Sequence, residues 1–259
     1  MTATAFVLDR DFEIVETRPR IVEAPPPVDR WTIQELRENL PRTIGSKVLN
    51  GTELIRSLAQ RQRNQHLPTT IGPFDDLLGG GLPRGKMVEL IGRRSTGRFS
   101  IAMAALASAT SMGEAAVFVD LGDGFDPQAA EADGIDLRRL LWVRPKKLKE
   151  AVMAVELISA AGFQLVVLDT GRHAVPGRVP DSSWVRLART AEAQGTALLI
   201  STPYPLTGTA SEAAIYAHAG SGQWEGDPIC VLCGIDLDLT LEKHRDLRAG
   251  REVGVGLGA

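Results

Sequence analysis

One segment of the sequence has the residue types and spacing of a loop that binds phosphate. Two glycines stand at the G-x-x-x-x-G spacing between an apolar run and a helical pattern, and the segment consists of Gly92, Arg93, Arg94, Ser95, Thr96, Gly97, Arg98, Phe99 and Ser100. In such a loop, backbone N–H groups and the N-terminus of the next helix point at one anion. The sequence therefore predicts a phosphate loop at this position.

Two positions of this loop depart from the motif. Arg98 stands where a lysine is expected, which keeps the positive charge but not the compact ammonium. Phe99 stands where a hydroxyl would bind Mg²⁺, and Ser100 comes one residue too late, about 100° further around the helix. We therefore expect a degenerate loop that holds no metal.

Asp169 is a second candidate for the same site. It ends the apolar run Leu165–Leu168, where a nucleotide-binding strand carries its acidic residue. An aspartate at a strand end also caps turns, which is the favoured interpretation of Asp169 when it is taken alone. Together with the loop, it indicates a nucleotide-site position that has been inherited without necessarily being functional.

Apolar strands alternate with helical patterns over most of the chain, which predicts an α/β fold with a mostly parallel central sheet flanked by helices. Near the C-terminus, Ile229–Leu232 is apolar and Asp236–Glu242 alternates strictly, so antiparallel strands are expected at that edge of the sheet. The predicted strands before them are Met87–Ile91, Ala115–Leu121, Leu140–Val143, Gln164–Asp169 and Ala197–Ser201.

The first part of the chain follows a different pattern. Three consecutive prolines, Pro25–Pro27, form a stiff spacer, and short helices are predicted up to Leu40 and over Thr52–Gln62. We expect residues 1–66 to form an extended and helical docking or oligomerisation arm, and residues 67–259 to form the core.

Composition excludes several classes of protein. The 259 residues are 44% hydrophobic and 24% charged, which argues against wholesale disorder. No run approaches the roughly 18 apolar residues of a membrane span, and two cysteines cannot staple a domain of this size. We expect a cytoplasmic protein with no membrane partner. The net charge of −3 restricts any DNA contact to a local patch.

Further motifs extend from the loop in both directions and carry a family resemblance. Leu67–Gly72, Phe74–Gly85 and Val88–Leu90 resemble the lead-in to the RecA ATPase core, and Phe118–Asp120 and Phe125–Pro127 continue the match. Within that superfamily the chain looks most like the ImuA-type proteins, which are RecA-like partners in SOS mutagenesis. The arginine in the loop and the strand at Leu141–Pro145 fit that subgroup.

The resemblance also implies what the site lacks. The family's catalytic glutamate falls on Gly122 and its nucleotide-sensing glutamine on Pro203. The connections after Asp169 and Ser201, which carry DNA-binding loops in recombinases, are short. Phosphoryl transfer needs a metal, a charge clamp and a positioned water together. We therefore expect no catalytic residue and no required cofactor, and only weak binding of ATP or ADP.

Two groups of basic residues are candidates for contacts with DNA or a protein. The first surrounds Trp142 and consists of Arg138, Arg139, Arg144, Lys146, Lys147 and Lys149. The alternative interpretation of this group is a solvated helix end. The second is Lys243 and Arg245, which resemble basic residues that reach the neighbouring subunit's nucleotide in recombinase filaments. The C-x-x-C pair Cys230 and Cys233 is interpreted as core packing.

These observations favour a RecA-like accessory protein in DNA damage tolerance that has lost ATPase chemistry. The resemblance implies RecA, a Y-family polymerase-like protein and an error-prone polymerase as partners, with DNA contacted weakly or indirectly. One alternative is an active RecA-like ATPase that binds single-stranded DNA, with Arg98 serving as the lysine and Asp123 or another carboxylate as the base. Another is an architectural DNA-binding module that uses the basic cluster.

Overall fold

The computed structural model describes residues 65–171, 177, 179–226 and 229–258. The predicted arm up to residue 64 lies outside these ranges, and its proposed role stays a prediction. The described α-helices are α1 (Gly72–Leu77), α2 (Arg98–Ser111), α3 (Pro127–Ala132), α4 (Leu148–Ala160) and α5 (Asp181–Gln194). The described strands are β1 (His66–Leu67), β2 (Leu82–Pro83), β3 (Met87–Gly92), β4 (Ala116–Asp120), β5 (Leu140–Val143), β6 (Leu165–Asp169), β7 (Ala197–Thr202), β8 (Ala213–Glu225), β9 (Val231–His244) and β10 (Arg251–Gly258).

Eight of these strands form one sheet in the order β10-β9-β8-β3-β7-β6-β4-β5. The pairs from β8 through β5 are parallel, whereas β8 with β9 and β9 with β10 are antiparallel. This arrangement confirms the predicted α/β class, with a mostly parallel sheet and antiparallel strands at the C-terminal edge. A separate two-stranded ladder joins β1 to β2.

The central strands are buried on both faces, as their continuous apolar sequences predict. Val117 and Val166 point to the side covered by α4 and α5, where Trp184 is 2% exposed. Phe118 and Val167 point to the opposite side, which is covered by α2. The sheet therefore separates two apolar cores and fixes the carboxyl ends of β3, β4, β6 and β7 along one edge.

Local capping explains several helix boundaries. The Asp126 side chain accepts hydrogen bonds from the backbone N–H groups of Gln128 and Ala129, and Pro127 occupies the first turn of α3. An aspartate followed by proline is a sequence pattern typical of a helix start. Helix α5 ends at Gly195, whose φ of 72° is readily adopted only by glycine.

The C-terminal strands are longer than the sequence pattern indicates. β8 was not predicted, because its sequence is rich in alanine and glycine. β9 starts at Val231, inside the predicted segment Ile229–Leu232, and runs through the alternating segment Asp236–Glu242. β8 is exposed from His218 onward, and Val231 and Leu232 at the start of β9 are exposed as well. Consequently the prediction that Cys230 and Cys233 pack in the core is wrong: Cys230 is exposed and Cys233 is half-buried.

Membrane-spanning helices and metal-binding clusters are both absent from the described residues. None of their helices is long and apolar enough to cross a membrane. Within the same ranges, no three His, Cys, Asp or Glu side chains lie close enough together to hold a metal ion.

The buried carboxylate of Glu89 positions the connection between β7 and β8. It accepts hydrogen bonds from Leu206 N at 2.6 Å, Thr207 N at 3.1 Å and Thr207 Oγ1 at 2.7 Å. We predict that Glu89→Ala lowers the free energy of unfolding by about 2–4 kcal/mol, because buried donors lose their acceptor. Urea denaturation measures this change. The matched substitution Glu131→Ala, at an exposed position of α3, should cost less than about 0.5 kcal/mol.

Candidate functional site

The predicted phosphate loop connects β3 to α2 in the strand–loop–helix arrangement that the sequence implies. Gly97 precedes α2 with a φ of 70°, and Ser95 has a φ of 59°. The Thr96 hydroxyl donates to the Arg93 carbonyl at 2.9 Å and closes the loop on itself. The backbone therefore has the turn of a phosphate loop, which places the first turn of α2 beside the carboxyl ends of β6 and β7.

Arg98 points into the protein at this site. It is 6% exposed, and its Nη1 donates to Asp169 Oδ1 at 2.7 Å and to Ser201 Oγ at 2.6 Å. Its Nη2 donates to the carbonyl of Gly171 at 2.6 Å. The planar guanidinium reaches all three acceptors at once because its donors are fixed in a fork. Arg98 thus joins α2 to the ends of both β6 and β7.

Both carboxylate oxygens of Asp169 accept hydrogen bonds within this network. Besides Arg98, it accepts from Ser201 Oγ at 2.7 Å and from Gly171 N at 3.1 Å. Burial raises the pKa of the Asp169 carboxyl, while the Arg98 guanidinium and the Ser201 hydroxyl oppose this rise. The carboxylate that would bind a metal through water in a nucleotide site is here the partner of an internal cation. Ser201 and Gly171 were not predicted as site residues, because nothing in their local sequence marks them.

Gly122, the position that resembles the family's catalytic glutamate, lies against Gly171. A Cβ added to Gly122 would collide with the Cα of Gly171 and would lie 3.4 Å from Asp169 Oδ2. The turns after β4 and β6 are therefore packed too closely for a larger side chain at position 122. Pro203, the position of the sensing glutamine, follows directly after β7.

Asp123, the base that the ATPase alternative names first, points elsewhere. Its carboxylate pairs with Arg144, with Arg144 Nε 2.8 Å from Asp123 Oδ1, and both side chains are more than half exposed. Asp120 shapes the same turn by accepting from the N–H groups of Gly124 and Phe125. The described carboxylates of this turn are thus engaged away from the phosphate loop.

Phe99, at the position of the metal-binding hydroxyl, adds an aromatic face to the site. Its ring lies edge-on to Phe118, with centroids 6.1 Å apart. The contacts continue from Phe118 to Phe125 at 5.3 Å and from Phe125 to Trp142 at 5.1 Å. Arg144 stacks over the Trp142 ring at 4.8 Å. A row of aromatic rings therefore links the loop to the edge strand β5.

A cavity of about 380 Å³ remains beside the loop. Its lining includes all of the predicted residues from Arg93 to Ser100 together with Asp169, so the structure brings the two sequence motifs together. Leu232 and Ile235 of β9 also line it, which the sequence did not indicate because they are distant in the chain. The cavity therefore has polar, cationic and apolar walls.

The six basic residues around Trp142 divide into two groups. The three arginines meet acceptors of the protein: Arg138 and Arg139 pair with Asp136, and Arg144 pairs with Asp123. Three lysines are exposed, and their side chains form no ion pair with any described residue: Lys146, Lys147 and Lys149. Only the lysines therefore keep an uncompensated charge, which reduces the predicted basic patch.

Lys243 and Arg245 contact the connection before β8. Lys243 Nζ donates to the Ser211 carbonyl at 2.6 Å and to the Gly208 carbonyl at 3.0 Å, and burial lowers its pKa. Arg245 lies 3.8 Å from Glu212 and is more than half exposed. Lys243 thus holds a loop of its own chain in this structure, whereas Arg245 remains accessible.

This strand–loop–helix site is typical of RecA-like proteins, and comparison with known sequences agrees. Residues 47–189, more than half of the chain, match the model of the RecA N-terminal domain family. The protein therefore belongs to the RecA N-terminal domain family.

Curated relatives support the same assignment. Protein RecA of Gloeothece citriformis is 34% identical over 119 residues, which are 46% of this chain and 33% of that protein. Protein RecA of Thermotoga maritima is 34% identical over 146 residues, which are 56% of this chain and 39% of that protein. The matches span little more than a third of the length of these relatives.

A solved structure has the same fold. The crystal structure of the RadB recombinase matches with a TM-score of 0.54 at 19% identity, over 73% of this chain and 94% of that chain. This confirms the predicted RecA-like architecture.

The Arg98–Asp169 pair should dominate the stability of the site. Arg98→Ala is predicted to lower the free energy of unfolding by about 3–5 kcal/mol, because it leaves a buried carboxylate without its cation. Chemical denaturation measures the loss. Arg138→Ala, which removes an exposed arginine from its pair with Asp136, should cost far less. Replacing both partners in Arg98→Met with Asp169→Leu should recover most of the loss. Equal costs for Arg98→Ala and Arg138→Ala would contradict this account.

The close approach of Gly122 to Gly171 gives a second prediction. Gly122→Ala should lower the free energy of unfolding by about 1–3 kcal/mol, because the added methyl group meets backbone that cannot move freely. The control is Gly72→Ala, where nothing lies within 4 Å of the added Cβ and no large change is expected. Thermal unfolding of the two variants side by side checks the difference. A Gly122→Ala variant as stable as the wild type would show that the turns are not tightly packed.

Proposed function

We propose that this protein is a RecA-like accessory factor of the ImuA type, which acts in SOS mutagenesis and DNA damage tolerance without hydrolysing ATP. The observation that carries the proposal is the buried Arg98 guanidinium, bound to Asp169, Ser201 and Gly171. In this state the residues that would clamp phosphate and metal are bonded to one another. Nucleotide is not required, and ATP or ADP binds weakly.

Three independent features of the site support a loss of turnover. Phe99 has no oxygen to offer a metal, and Asp169 has its oxygens occupied within the protein. Gly122 is packed against Gly171, which leaves no room for a carboxylate to position water. Phosphoryl transfer depends on all of these functions together. An enzyme that lacks each of them has little means to stabilise the transition state.

The proposed partners are RecA, a Y-family polymerase-like protein and an error-prone polymerase, met in the cytoplasm. The support for this is the family membership together with the ImuA-like loop and edge strand of the sequence. A head-to-tail contact between RecA-like subunits would let this chain cap or remodel a RecA filament. DNA is then contacted weakly or through the partners, consistent with a basic cluster in which the arginines are already paired.

An active recombinase is the second candidate function, favoured by the names of the relatives, which are RecA proteins and a RadB recombinase. It requires Arg98 to leave Asp169 and bind phosphate, at the cost of the buried pair. It also requires a base other than Asp123, which is bound to Arg144. The two candidates differ in one measurable property, namely Mg²⁺-dependent use of ATP.

Calorimetric titration of the full chain with ATP and Mg²⁺ tests the proposal. We expect a dissociation constant no tighter than about 1 mM, which corresponds to about −4 kcal/mol, and no hydrolysis with or without single-stranded DNA. The double substitution Arg98→Lys with Phe99→Thr restores the motif residues, but hydrolysis should stay absent because position 122 remains glycine. ATP hydrolysis by the wild type that Arg98→Ala abolishes would establish the active ATPase instead.

Direct capture tests the partners. Immobilised full chain should retain purified RecA, or one of the two polymerase proteins, from solution at physiological salt. Affinity for single-stranded DNA should be low and should change little in Lys146→Ala with Lys147→Ala. If DNA binds tightly and its salt dependence falls in that variant, the architectural DNA-binding alternative is supported.

A further inference from the structure

The cavity beside the loop has an apolar wall that a nucleotide site does not need. Phe99 on α2 and Leu232 and Ile235 on β9 belong to its lining. Phe99 is 36% exposed and Leu232 is 40% exposed. Both side chains are therefore only partly covered by the described residues, and they face a shared space of about 380 Å³. That space is large enough for one or two apolar side chains of a partner.

The apolar wall continues onto the β8–β9 hairpin. Trp224 pairs with Leu232 across the two strands, and both side chains lie over Gly222, within 3.4 Å of where its Cβ would be. Trp224 is 63% exposed. Tryptophan and other large apolar side chains that are grouped and exposed mark interaction surfaces. The cavity and the hairpin thus form one continuous surface rather than an isolated pocket.

Two cations also line the cavity. Arg93 and Arg94 are exposed, and neither forms a hydrogen bond or ion pair through its side chain with any described residue. The third cation, Arg98, is neutralised by Asp169 inside the wall. The charge that the cavity presents to a partner is therefore positive and lies at its rim, next to an apolar interior.

We propose that this cavity binds a segment of another protein in which an apolar anchor side chain stands between carboxylates. The anchor packs on Phe99, Leu232 and Ile235, and the carboxylates pair with Arg93 and Arg94, whose forked donors suit carboxylate oxygens. Loss of the metal hydroxyl and the glutamate thereby converts a nucleotide site into a protein-docking site. The inference rests on the proposed non-hydrolytic function, because a bound nucleotide would fill the same space.

The apolar lining of the cavity favours a protein segment over a nucleic-acid backbone. A phosphate backbone offers charges to Arg93 and Arg94 but no apolar group to bury against Leu232 and Ile235. A peptide supplies both, through carboxylates and an apolar side chain. The occupant is therefore an acidic peptide segment with one large apolar residue.

Fluorescence anisotropy with the full chain tests this surface. The probe is a fluorescein-labelled twelve-residue peptide with one central phenylalanine flanked by aspartates and glutamates. We expect saturable binding that weakens at least tenfold when the phenylalanine is replaced by alanine or the acidic residues by lysine. Binding should also weaken as salt rises, because exposed charges are screened.

Matched variants locate the binding. Reversing the rim charges in Arg93→Glu with Arg94→Glu, or placing a charge on the wall in Leu232→Asp, should each weaken binding at least tenfold. Their controls are Arg248→Glu with Arg251→Glu, a double reversal at exposed positions, and Leu157→Asp at a 75% exposed site on α4. The controls should bind like the wild type. Circular dichroism of every variant verifies that the fold is kept.

Three outcomes would overturn the proposal: no binding of the acidic probe, equal binding of the lysine peptide, or unchanged binding by the rim and wall variants. Displacement of the probe by a single-stranded oligonucleotide at lower concentration than by unlabelled peptide would assign the surface to nucleic acid. ATP titration of the same preparation distinguishes a failure of the docking site from a failure of the proposed function. Absent peptide binding without ATP use overturns only the docking site, whereas ATP hydrolysis overturns the proposed function itself.

Discussion

The buried ion pair between Arg98 and Asp169 is the interaction on which the site depends. A charged group taken out of water is tolerated only when it is paired and hydrogen-bonded. Here the guanidinium has acceptors on both β6 and β7, which are registered so that Asp169 lies beside Ser201. The pair therefore fixes the first turn of α2 against the carboxyl ends of the two strands. Arg98 and Asp169 thus bond to each other, whereas a phosphate site directs the groups at these positions toward its ligand.

The other changes in the site are mutually consistent with this pair. The Asp169 carboxylate is bonded within the protein, and Phe99, at the position of the metal-binding hydroxyl, packs on Phe118. Position 122 carries no carboxylate, and the turns after β4 and β6 close together at Gly122 and Gly171. A fold that keeps its phosphate-loop backbone can therefore exchange ligand chemistry for packing with few substitutions.

The antiparallel strands contribute to the site from outside the parallel sheet. Gly97 in the loop has no room for a side chain, because Leu237 on β9 and Leu257 on β10 pack against it. Further along the same strand, Leu232 and Ile235 line the cavity. The C-terminal strands therefore support the loop from one side and give the cavity its apolar wall.

The sequence by itself determined the class of fold, the succession of central strands and helices along the chain, and the position of the phosphate loop. These follow from local properties: continuous apolar runs for buried strands, caps such as Asp126, and the glycine spacing of the loop. It did not predict β8, which is rich in alanine and glycine, or β10, where glycine alternates with valine and leucine. Pairing with neighbouring strands holds both. It also placed Cys230 and Cys233 in the core, because an apolar run does not reveal that this end of its strand is exposed. Only the tertiary structure decided that Arg98 points inward, since its partner Asp169 lies 71 residues away. Long-range contacts of this kind decide whether a charge faces a ligand or the protein's own interior.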